Sequence, residues 1–220
     1  MIIATANIKG GVGKSTIACH LAAWIKSEDV EVAFLDCDVQ ETSSRWLKDA
    51  EPTIPFKRVI DPNQIRGTIT QLQRNYSVVV VDGPAGLTEV NLRVLLATDL
   101  ALVPCGPTPV DIEASQLAVQ VIKEAQESRD NGLPLAVFIP NKVQLNTKLG
   151  KELLEVADDI GIPVAQTPIR LRQIYAECRG VGKTVFQMGY RGKEAADDLR
   201  DVFNEVLKYG TQGHAGKRRN

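Results

Sequence analysis

The chain alternates between short, continuous apolar runs and longer segments in which apolar residues recur with a helical period. Such runs, bounded by polar residues, are typical of strands buried on both faces of a sheet. They predict strands at Ile2–Thr5, Val30–Asp36, Ile54–Ile60, Val78–Val81, Leu100–Pro104, Leu135–Ile139 and Ile162–Ala165. The helical periods lie between the strands, at 17–25, 65–72, 92–96, 109–125, 149–160 and 193–208. This alternation predicts an α/β fold with a doubly wound, mostly parallel sheet and helices on both faces.

Two of the predicted helices have informative features. Thr108 suits the N-cap of the long helix, Pro109 suits its first position, and Asp111 lies in its first turn. The last helix is rich in acids, but one face is apolar and predicts core packing; it consists of Leu199, Val202, Phe203 and Val206. We expect one P-loop ATPase domain over 1–208 and a basic, flexible tail over 209–220.

Composition narrows the class of protein. Of the 220 residues, 44% are hydrophobic and 24% are charged, as in a soluble globular protein. No apolar run approaches the ~18 residues of a membrane span, and the first strand begins too early for a signal peptide. The four cysteines share no metal or disulfide spacing, which favours reduced thiols in a cytoplasmic protein. The net charge of −1 limits any nucleic-acid binding to a local basic patch.

The first predicted strand leads into a glycine-rich loop, NIKGGVGKST over Asn7–Thr16, and a helix follows. This order forms a phosphate cradle, because glycines let backbone N–H groups approach phosphate oxygens at a helix N-terminus. Lys14 adds a positive charge, Ser15 is the hydroxyl expected on Mg²⁺, and Thr16 is a further donor. The loop predicts a nucleotide site formed by Gly10, Gly11, Val12, Gly13, Lys14, Ser15 and Thr16.

Polar side chains also follow three other predicted strands. Asp36 and Asp82 each end an apolar run, and Asn141 comes shortly after another. Ligands of doubly wound sheets bind outside the carboxyl ends of the strands. We therefore expect these side chains to converge with the glycine-rich loop on one crevice.

The loop departs from an ordinary P-loop, since Ile8 replaces its first glycine and Lys9 follows. The sequence KGGVGKST resembles the deviant Walker A loop of the ParA/MinD family of dimerising ATPases. The resemblance implies that Lys9 reaches across an ATP-dependent homodimer to phosphates held by the other subunit. An ammonium buried between subunits without a counter-charge costs several kcal/mol, so we expect ATP to be needed for dimerisation. The alternative is a solvated lysine beside an ordinary P-loop.

Residues 34–40, FLDCDVQ, carry a second match to this family. They resemble the DxDPQ segment of ParA-type proteins, in which the second acid activates the attacking water and the first orders the Mg²⁺ shell. This implies a catalytic role for Asp38, together with Lys9 and Lys14, and a metal role for Asp36. Val39 stands where most relatives have proline, which predicts a less rigid loop.

A third match is VVVVDGPAG over Val78–Gly86, which resembles a Walker B strand followed by a switch II loop. An acid at the end of a buried strand, facing a phosphate site, is expected to hold Mg²⁺. This implies that Asp82 belongs to the metal site with Ser15 and Asp36. The expected cofactors are therefore ATP and Mg²⁺.

Recognition of the base depends on the resemblance alone. Asn141 and Lys142 resemble the family segment whose asparagine bonds the adenine edge, and Pro168 and Ile169 resemble the segment that lines the ring. Asn141 is also an ordinary residue for a turn after a strand. The residues themselves do not exclude GTP.

The resemblance implies an ATPase of the partition and positioning branch, either plasmid ParA-like or of the carboxysome-positioning McdA type. Such a protein binds nucleoid DNA nonspecifically, and a cargo-linked adaptor stimulates hydrolysis. The basic residues expected to contact DNA are Arg170, Arg191, Lys193, Lys217, Arg218 and Arg219. We expect no membrane association. The alternatives are a membrane-associated MinD-like division-site ATPase, a dethiobiotin synthetase-like ligase and an iron–sulfur reductase.

Residues 180–184, GVGKT, nearly copy the phosphate loop. The preceding segment, Ile174–Cys178, is too short and mixed for a buried strand, and no long amphipathic helix follows. We predict a surface turn followed by packing of Val185. Trp46 begins a stretch with no regular period and is expected to pack in the core, and His20 is expected on a helix surface.

Overall fold

The computed structural model describes the backbone of residues 1–217 and the surroundings of the side chains through Thr211. Its seven strands form one sheet in the order β3-β2-β4-β1-β5-β6-β7, and all the pairs are parallel. The strands are β1 (Ile2–Thr5), β2 (Val32–Asp36), β3 (Phe56–Arg58), β4 (Val78–Asp82), β5 (Leu100–Cys105), β6 (Leu135–Val143) and β7 (Ile169–Arg170). The predicted doubly wound α/β fold is confirmed.

Helices cover both faces of the sheet. They are α1 (Lys14–Ser27), α2 (Thr42–Ala50), α3 (Pro62–Gln73), α4 (Glu89–Ala97), α5 (Pro109–Glu127), α6 (Lys148–Val156), α7 (Ile174–Gly180) and α8 (Lys193–Lys217). Strand β4 shows how the two layers arise, because its successive side chains point to opposite faces. Val78 and Val80 pack in the cluster that includes α1 and α8, whereas Val79 and Val81 pack in the cluster that includes α3 and α4.

Two sequence predictions of helix ends have clear outcomes. Thr108 caps α5 in a capping box with Asp111, as its sequence position predicted. The predicted apolar face of α8 is fully buried. However, α8 continues to Lys217 instead of ending at Lys208. Gly210 does not stop the helix; it lets the helix backbone lie close to Leu100 of β5, where a Cβ would stand 3.0 Å from a methyl carbon.

Three other boundaries differ from the prediction. Residues 42–50 form helix α2, which the sequence did not predict because its apolar pattern around Trp46 and Leu47 is short. The strand predicted at 162–165 is reduced to a single bridge between Val164 and Phe138, and β7 forms further along the chain. Strand β3 is short and exposed because it lies at the edge of the sheet.

Candidate functional site

The carboxyl ends of β1, β2 and β4 meet at one edge of the sheet and surround a cavity of about 640 Å³. The cavity is lined mainly by the glycine-rich loop and the loops after β2 and β4, and residues after β3, at the starts of α2 and α4, at the β6 end and in α7 complete its wall. The lining residues that the sequence singled out are Gly10, Gly11, Gly13, Lys14, Ser15, Thr16, Asp38 and Lys142. The expected convergence of strand ends on one crevice is thus found in the structure.

The backbone of the loop explains why two of its glycines are needed. Gly11 and Gly13 have φ of 78° and 105°, which side-chain-bearing residues rarely adopt. A Cβ on Gly13 would also collide with the Asn141 amide. Asn7 fixes the start of the loop, because its Oδ1 accepts the Lys9 N–H at 2.9 Å and its Nδ2 donates to Pro104 O at 2.9 Å. The loop is therefore ordered before any ligand arrives.

Lys14 lies at the bottom of the cavity and is almost completely buried. Its Nζ donates to Lys9 O at 2.9 Å. Burial lowers the pKa of Lys14, while the carboxylates of Asp82 and Asp38 oppose that effect. A phosphate could replace the carbonyl as acceptor and would compensate the buried charge.

Lys9 does not line this cavity. Its Nζ donates to Asp111 Oδ1 of α5 at 2.6 Å, and the two side chains are 34% and 11% exposed. Burial tends to raise the pKa of Asp111, but hydrogen bonds from Lys9 and Thr108 outweigh it and leave the pKa below its ordinary value. Lys9 of the single chain therefore already has a counter-charge before any nucleotide binds. The sequence placed Asp111 in the first turn of α5 but gave no sign of this pairing.

The two acids after β2 have different environments. Asp36 is buried, and its two oxygens accept the N–H groups of Asp38 at 2.9 Å and Ser44 at 3.0 Å. Asp36 thus shapes the loop and the first turn of α2. Asp38 lines the cavity, and its Oδ1 accepts the Gln40 N–H at 2.8 Å.

Asp82 at the end of β4 is fully buried and incompletely bonded. Its Oδ1 accepts the Thr5 hydroxyl at 3.2 Å, whereas Oδ2 has no hydrogen-bond partner among the residues that the structure describes. Burial raises the pKa of Asp82 to about 6, with Asp36 adding to the effect and the nearby Ser15 and Ser43 hydroxyls and Lys14 opposing it. A buried acceptor without a partner fits a divalent cation or its bound water.

The donor set near Asp82 fits Mg²⁺ held mainly by phosphate and water. Within the described part of the chain, no three His, Cys, Asp or Glu side chains cluster as metal ligands. Mg²⁺ in nucleotide sites typically takes few protein ligands, so this sparse set is suitable. Ser15 and Asp82 would hold the ion directly or through water, and Asp36 would act by ordering the loop.

A second cavity of about 280 Å³ adjoins the first on the side of β6, β7 and α7. Asn141 lines it and donates from Nδ2 to Val12 O at 2.6 Å, while Lys142 Nζ donates to Gly11 O at 2.6 Å. Ile169 also lines this cavity, but Pro168 does not. Its wall includes six residues of the 170–179 region that were not predicted to contact the nucleotide, namely Arg170, Leu171, Arg172, Tyr175, Ala176 and Arg179.

The basic residues proposed for DNA have mixed surroundings. Arg170 and Lys193 are exposed and make no ion pair within the described residues. Arg191 is exposed but is paired with Glu177. The side chain of Lys217 lies beyond those whose surroundings are described, and Arg218 and Arg219 lie outside the described residues altogether.

The segment after α7 closes over α1. The predicted turn follows α7 at 181–184 and Val185 is buried, as predicted, so the loop-like sequence there forms no second cradle. His20 is not on a surface, since it is fully buried. Its Nδ1 donates to Thr16 O at 2.7 Å and its Nε2 accepts the Val185 N–H at 3.1 Å. The helical position of His20 gave no sign of this cover. Trp46 packs in the core, as expected.

Comparisons with known proteins agree with this geometry. Residues 3–185 match the family described as the CobQ/CobB/MinD/ParA nucleotide binding domain. The chain is 30% identical over 212 residues to maintenance of carboxysome distribution protein A of Halothiobacillus neapolitanus, covering 93% of this chain and 95% of that protein.

Solved structures show the same fold. A Cyanothece McdA variant in complex with ATP superposes with a TM-score of 0.77 at 14% identity, covering 94% of this chain and 96% of that one. MinD of Pyrococcus horikoshii with Mg-ADP gives 0.75 at 19% identity, covering 96% and 98%. Among residues 1–217, no helix combines the length and apolar character needed to cross a bilayer.

Proposed function

This chain belongs to the family of CobQ/CobB/MinD/ParA nucleotide-binding domains and has the family's ATPase fold, and on this premise we propose that it dimerises around ATP to position a cargo on nucleoid DNA. The observation that carries the proposal is the pair of lysines on one loop. Lys14 points into the phosphate cavity, and Lys9 points out of it toward α5. Lys14 would bind the nucleotide of its own chain, whereas Lys9 does not line that nucleotide's cavity.

The residues of the cavity divide the work of hydrolysis. Lys14 and the loop N–H groups hold the phosphates, and Ser15 and Asp82 would hold Mg²⁺, which would neutralise charge on the phosphates. Asp38, whose side chain lines the cavity, orients and activates the attacking water. Asn141 and Ile169 hold the base in the adjoining cavity, with Lys142 and Pro168 beside them.

Lys9 makes dimerisation depend on the triphosphate. In the free chain, Asp111 compensates the ammonium, so leaving this pair costs free energy. The phosphates of a partner subunit offer Lys9 a denser negative charge than one carboxylate. ATP therefore favours the dimer, and loss of the γ-phosphate reduces that preference. Light scattering with ATP, with ADP and without nucleotide tests this cycle, and we expect dimers with ATP alone.

DNA binding would use the exposed basic residues Arg170 and Lys193, with Arg191, Lys217, Arg218 and Arg219 as further candidates. Dimerisation doubles the number of phosphate contacts, so binding should appear only with ATP and weaken steeply with salt. A mobility-shift titration at two salt concentrations measures both effects. Retention of DNA by the nucleotide-free chain with equal affinity would contradict ATP gating.

A partner protein has a suitable surface beside the site. An apolar groove of about 460 Å³ lies between α4 and α5, with Leu87 and Leu117 exposed along it at 62% and 41%. Its charged lining residues are Glu89 and Glu124, and no lysine or arginine of the described chain lines it. The charge and the apolar wall suit an adaptor segment with apolar and basic side chains.

The groove is connected to the catalytic loops. Gly86 N–H, in the loop after β4, donates to Ile8 O at 2.7 Å, and Ile8 lines the groove. We expect Leu117→Ser to reduce stimulation of the ATPase by the cargo-linked adaptor while basal hydrolysis stays unchanged. Leu154→Ser, at an exposed leucine of α6, is the matched control.

A carboxysome is the favoured cargo, because the relative named above acts in carboxysome distribution; a plasmid or chromosome remains the alternative. Fluorescence microscopy of the tagged protein beside carboxysome and plasmid markers separates these cargoes. A MinD-like membrane role is less favoured, since the apolar face of α8 is packed in the core. Sedimentation with liposomes and ATP tests that alternative.

A further inference from the structure

Arg179 at the end of α7 lies where two cavities of the site meet. It lines both the phosphate-side cavity and the base-side cavity. The other residues common to the two walls are Gly13, Thr16 and Lys142. Gly13 belongs to the glycine-rich loop, Thr16 to the first turn of α1 and Lys142 to the end of β6. Helix α7 contributes Arg179 to this border.

The chemistry of a nucleotide assigns this border to one part of the ligand. A nucleoside triphosphate is a linear chain of base, sugar, α-phosphate and then outer phosphates. With the outer phosphates at Lys14 and the base beside Asn141, the sugar and α-phosphate must cross the border between the cavities. A side chain at this border therefore faces the part that ATP and ADP share.

Two cations, Lys142 and Arg179, line both cavities, and within the described chain Arg179 is the one without a partner to give up. Lys14 and Lys142 donate to carbonyls of the glycine-rich loop, and Lys9 is paired with Asp111. The guanidinium of Arg179 makes no hydrogen bond or ion pair with any residue described in the structure. Its planar fork of N–H donors matches phosphate and ribose oxygens.

The end of α7 and the turn after it are held firmly against the nucleotide-binding helices. Trp46 Nε1 donates to Lys183 O at 2.8 Å, and Gln187 Nε2 donates to Ala50 O at 2.8 Å. His20 joins Val185 N–H to Thr16 O, which lies in the first turn of α1. The turn that resembles a phosphate loop thus acts as an anchor that fixes the position of Arg179.

We propose that Arg179 binds the ribose and α-phosphate of the nucleotide and that His20 is a positioning residue that holds the α7 end in place. This inference rests on the nucleotide site of the proposed function but does not depend on dimerisation, DNA or an adaptor. It gives the α7 segment a role in nucleotide affinity that differs from the role of Lys9. Lys9 responds to the triphosphate, whereas Arg179 responds to any adenosine nucleotide with an α-phosphate.

Calorimetric titration of the full chain with Mg-ADP and with a non-hydrolysable Mg-ATP analogue tests the assignment. A hydrogen bond to a charged group contributes about 1.5–3 kcal/mol, so Arg179→Gln should raise both dissociation constants at least about tenfold. Arg179→Lys should recover part of the loss. Lys183→Gln, at an exposed cation of the same turn that lines neither cavity, is the matched control and should bind as the parent does.

Two results would overturn the proposal. One is unchanged affinity of Arg179→Gln for both nucleotides, and the other is a loss confined to the triphosphate analogue, which would place Arg179 at the γ-phosphate. Melting curves without nucleotide show whether the variant remains folded. If the parent binds both nucleotides but never dimerises with ATP, the proposed function fails while this assignment is still tested.

Kinetics distinguish the positioning role of His20 from a purely structural one. His20→Gln can keep a donor and an acceptor, whereas His20→Phe loses both hydrogen bonds. We expect His20→Phe to raise KM with little change in kcat, because uniform binding of the nucleotide is weakened. His20→Gln should restore most of the parent KM. Equal KM for His20→Phe and the parent would remove His20 from the assignment.

Discussion

Two cations lie beside the glycine-rich loop, Lys9 on the side of α5 and Arg179 on the side of α7, and their surroundings differ. On the α5 side, Lys9 is neutralised by Asp111 at 2.6 Å and points away from the phosphate cavity. On the α7 side, Arg179 faces the cavity without a partner in the described chain. A cation meant for the chain's own nucleotide can be presented permanently. Under the proposed function Lys9 would contact the phosphates of another subunit, and its ion pair with Asp111 would hold it until then.

The largest effect is expected from removing the ammonium group of Lys9. Lys9→Ala should abolish ATP-dependent dimers while leaving nucleotide binding by the monomer, because Lys14 and Arg179 remain. Light scattering measures the mass of the complex, and calorimetry measures the affinity. Lys148→Ala, at an exposed lysine of α6, is the control and should dimerise normally. ATP-induced dimers of Lys9→Ala equal to those of the parent would defeat the comparison.

Next in size is the loss of Asp38. A carboxylate that activates or orients water typically contributes 10²–10⁴-fold, so Asp38→Ala should slow hydrolysis at least about 100-fold. The ATP dimer should then persist, since the γ-phosphate is not lost. A phosphate-release assay gives the rate, and gel filtration after dilution gives the lifetime of the dimer. Hydrolysis by Asp38→Ala at the parent rate would show that another group handles the water.

Acid should lower the stability of the fold through His20, which is buried beneath the segment that follows α7. Burial lowers the pKa of His20 from 6.5 to about 4, so the unfolded chain binds the proton more readily than the folded chain between these values. Stability is therefore full above about pH 6.5 and falls as the pH drops toward 4. The free energy of unfolding should fall by about 2 kcal/mol from this residue between pH 7.5 and 5, since one pKa unit corresponds to 1.36 kcal/mol.

Urea titrations at the two pH values measure this change. His20→Gln has no titrating group at this position and should show a smaller pH dependence by about the same amount. An identical pH dependence in the parent and in His20→Gln would contradict the neutral, buried state of His20.

The smallest effect concerns the partner of Lys9. Asp111→Asn removes the charge that retains Lys9, so dimerisation should need less ATP. A partly exposed ion pair contributes on the order of 1 kcal/mol, so the half-maximal ATP concentration should fall about fivefold. Thr108→Ala removes a capping partner of Asp111 without removing its charge and should leave that concentration nearly unchanged. A higher ATP requirement for Asp111→Asn would mean that Asp111 helps the dimer instead of opposing it.

The sequence predicted the centre of this molecule better than its flanks. The four-valine run of β4 and the loop before α1 carry strong local patterns, and both lie where the pattern placed them. Whether Lys9 is paired could not be predicted, because Asp111 is distant in sequence and its position in the first helical turn already had an explanation as a cap. His20 was misplaced for a related reason, since its cover comes from residues 184–187.

Glycines account for another limit of sequence analysis. Gly210 suggests a helix end by its type, yet in α8 it allows close packing on Leu100. The segment at 180–184 copies the residues of a phosphate loop but lacks the preceding strand that would aim its N–H groups at a ligand. In both cases the residue type is the same and the neighbouring backbone decides its role.

The transfer of Lys9 from Asp111 to a partner subunit is the central claim, and one distance tests it most directly. A crystal structure of the Asp38→Ala variant with Mg-ATP would show where the ammonium lies when hydrolysis is blocked. We predict that Lys9 Nζ leaves Asp111 and contacts a phosphate oxygen held by the other subunit. An ATP-bound structure in which Lys9 Nζ still lies 2.6 Å from Asp111 Oδ1 of its own chain would contradict the claim.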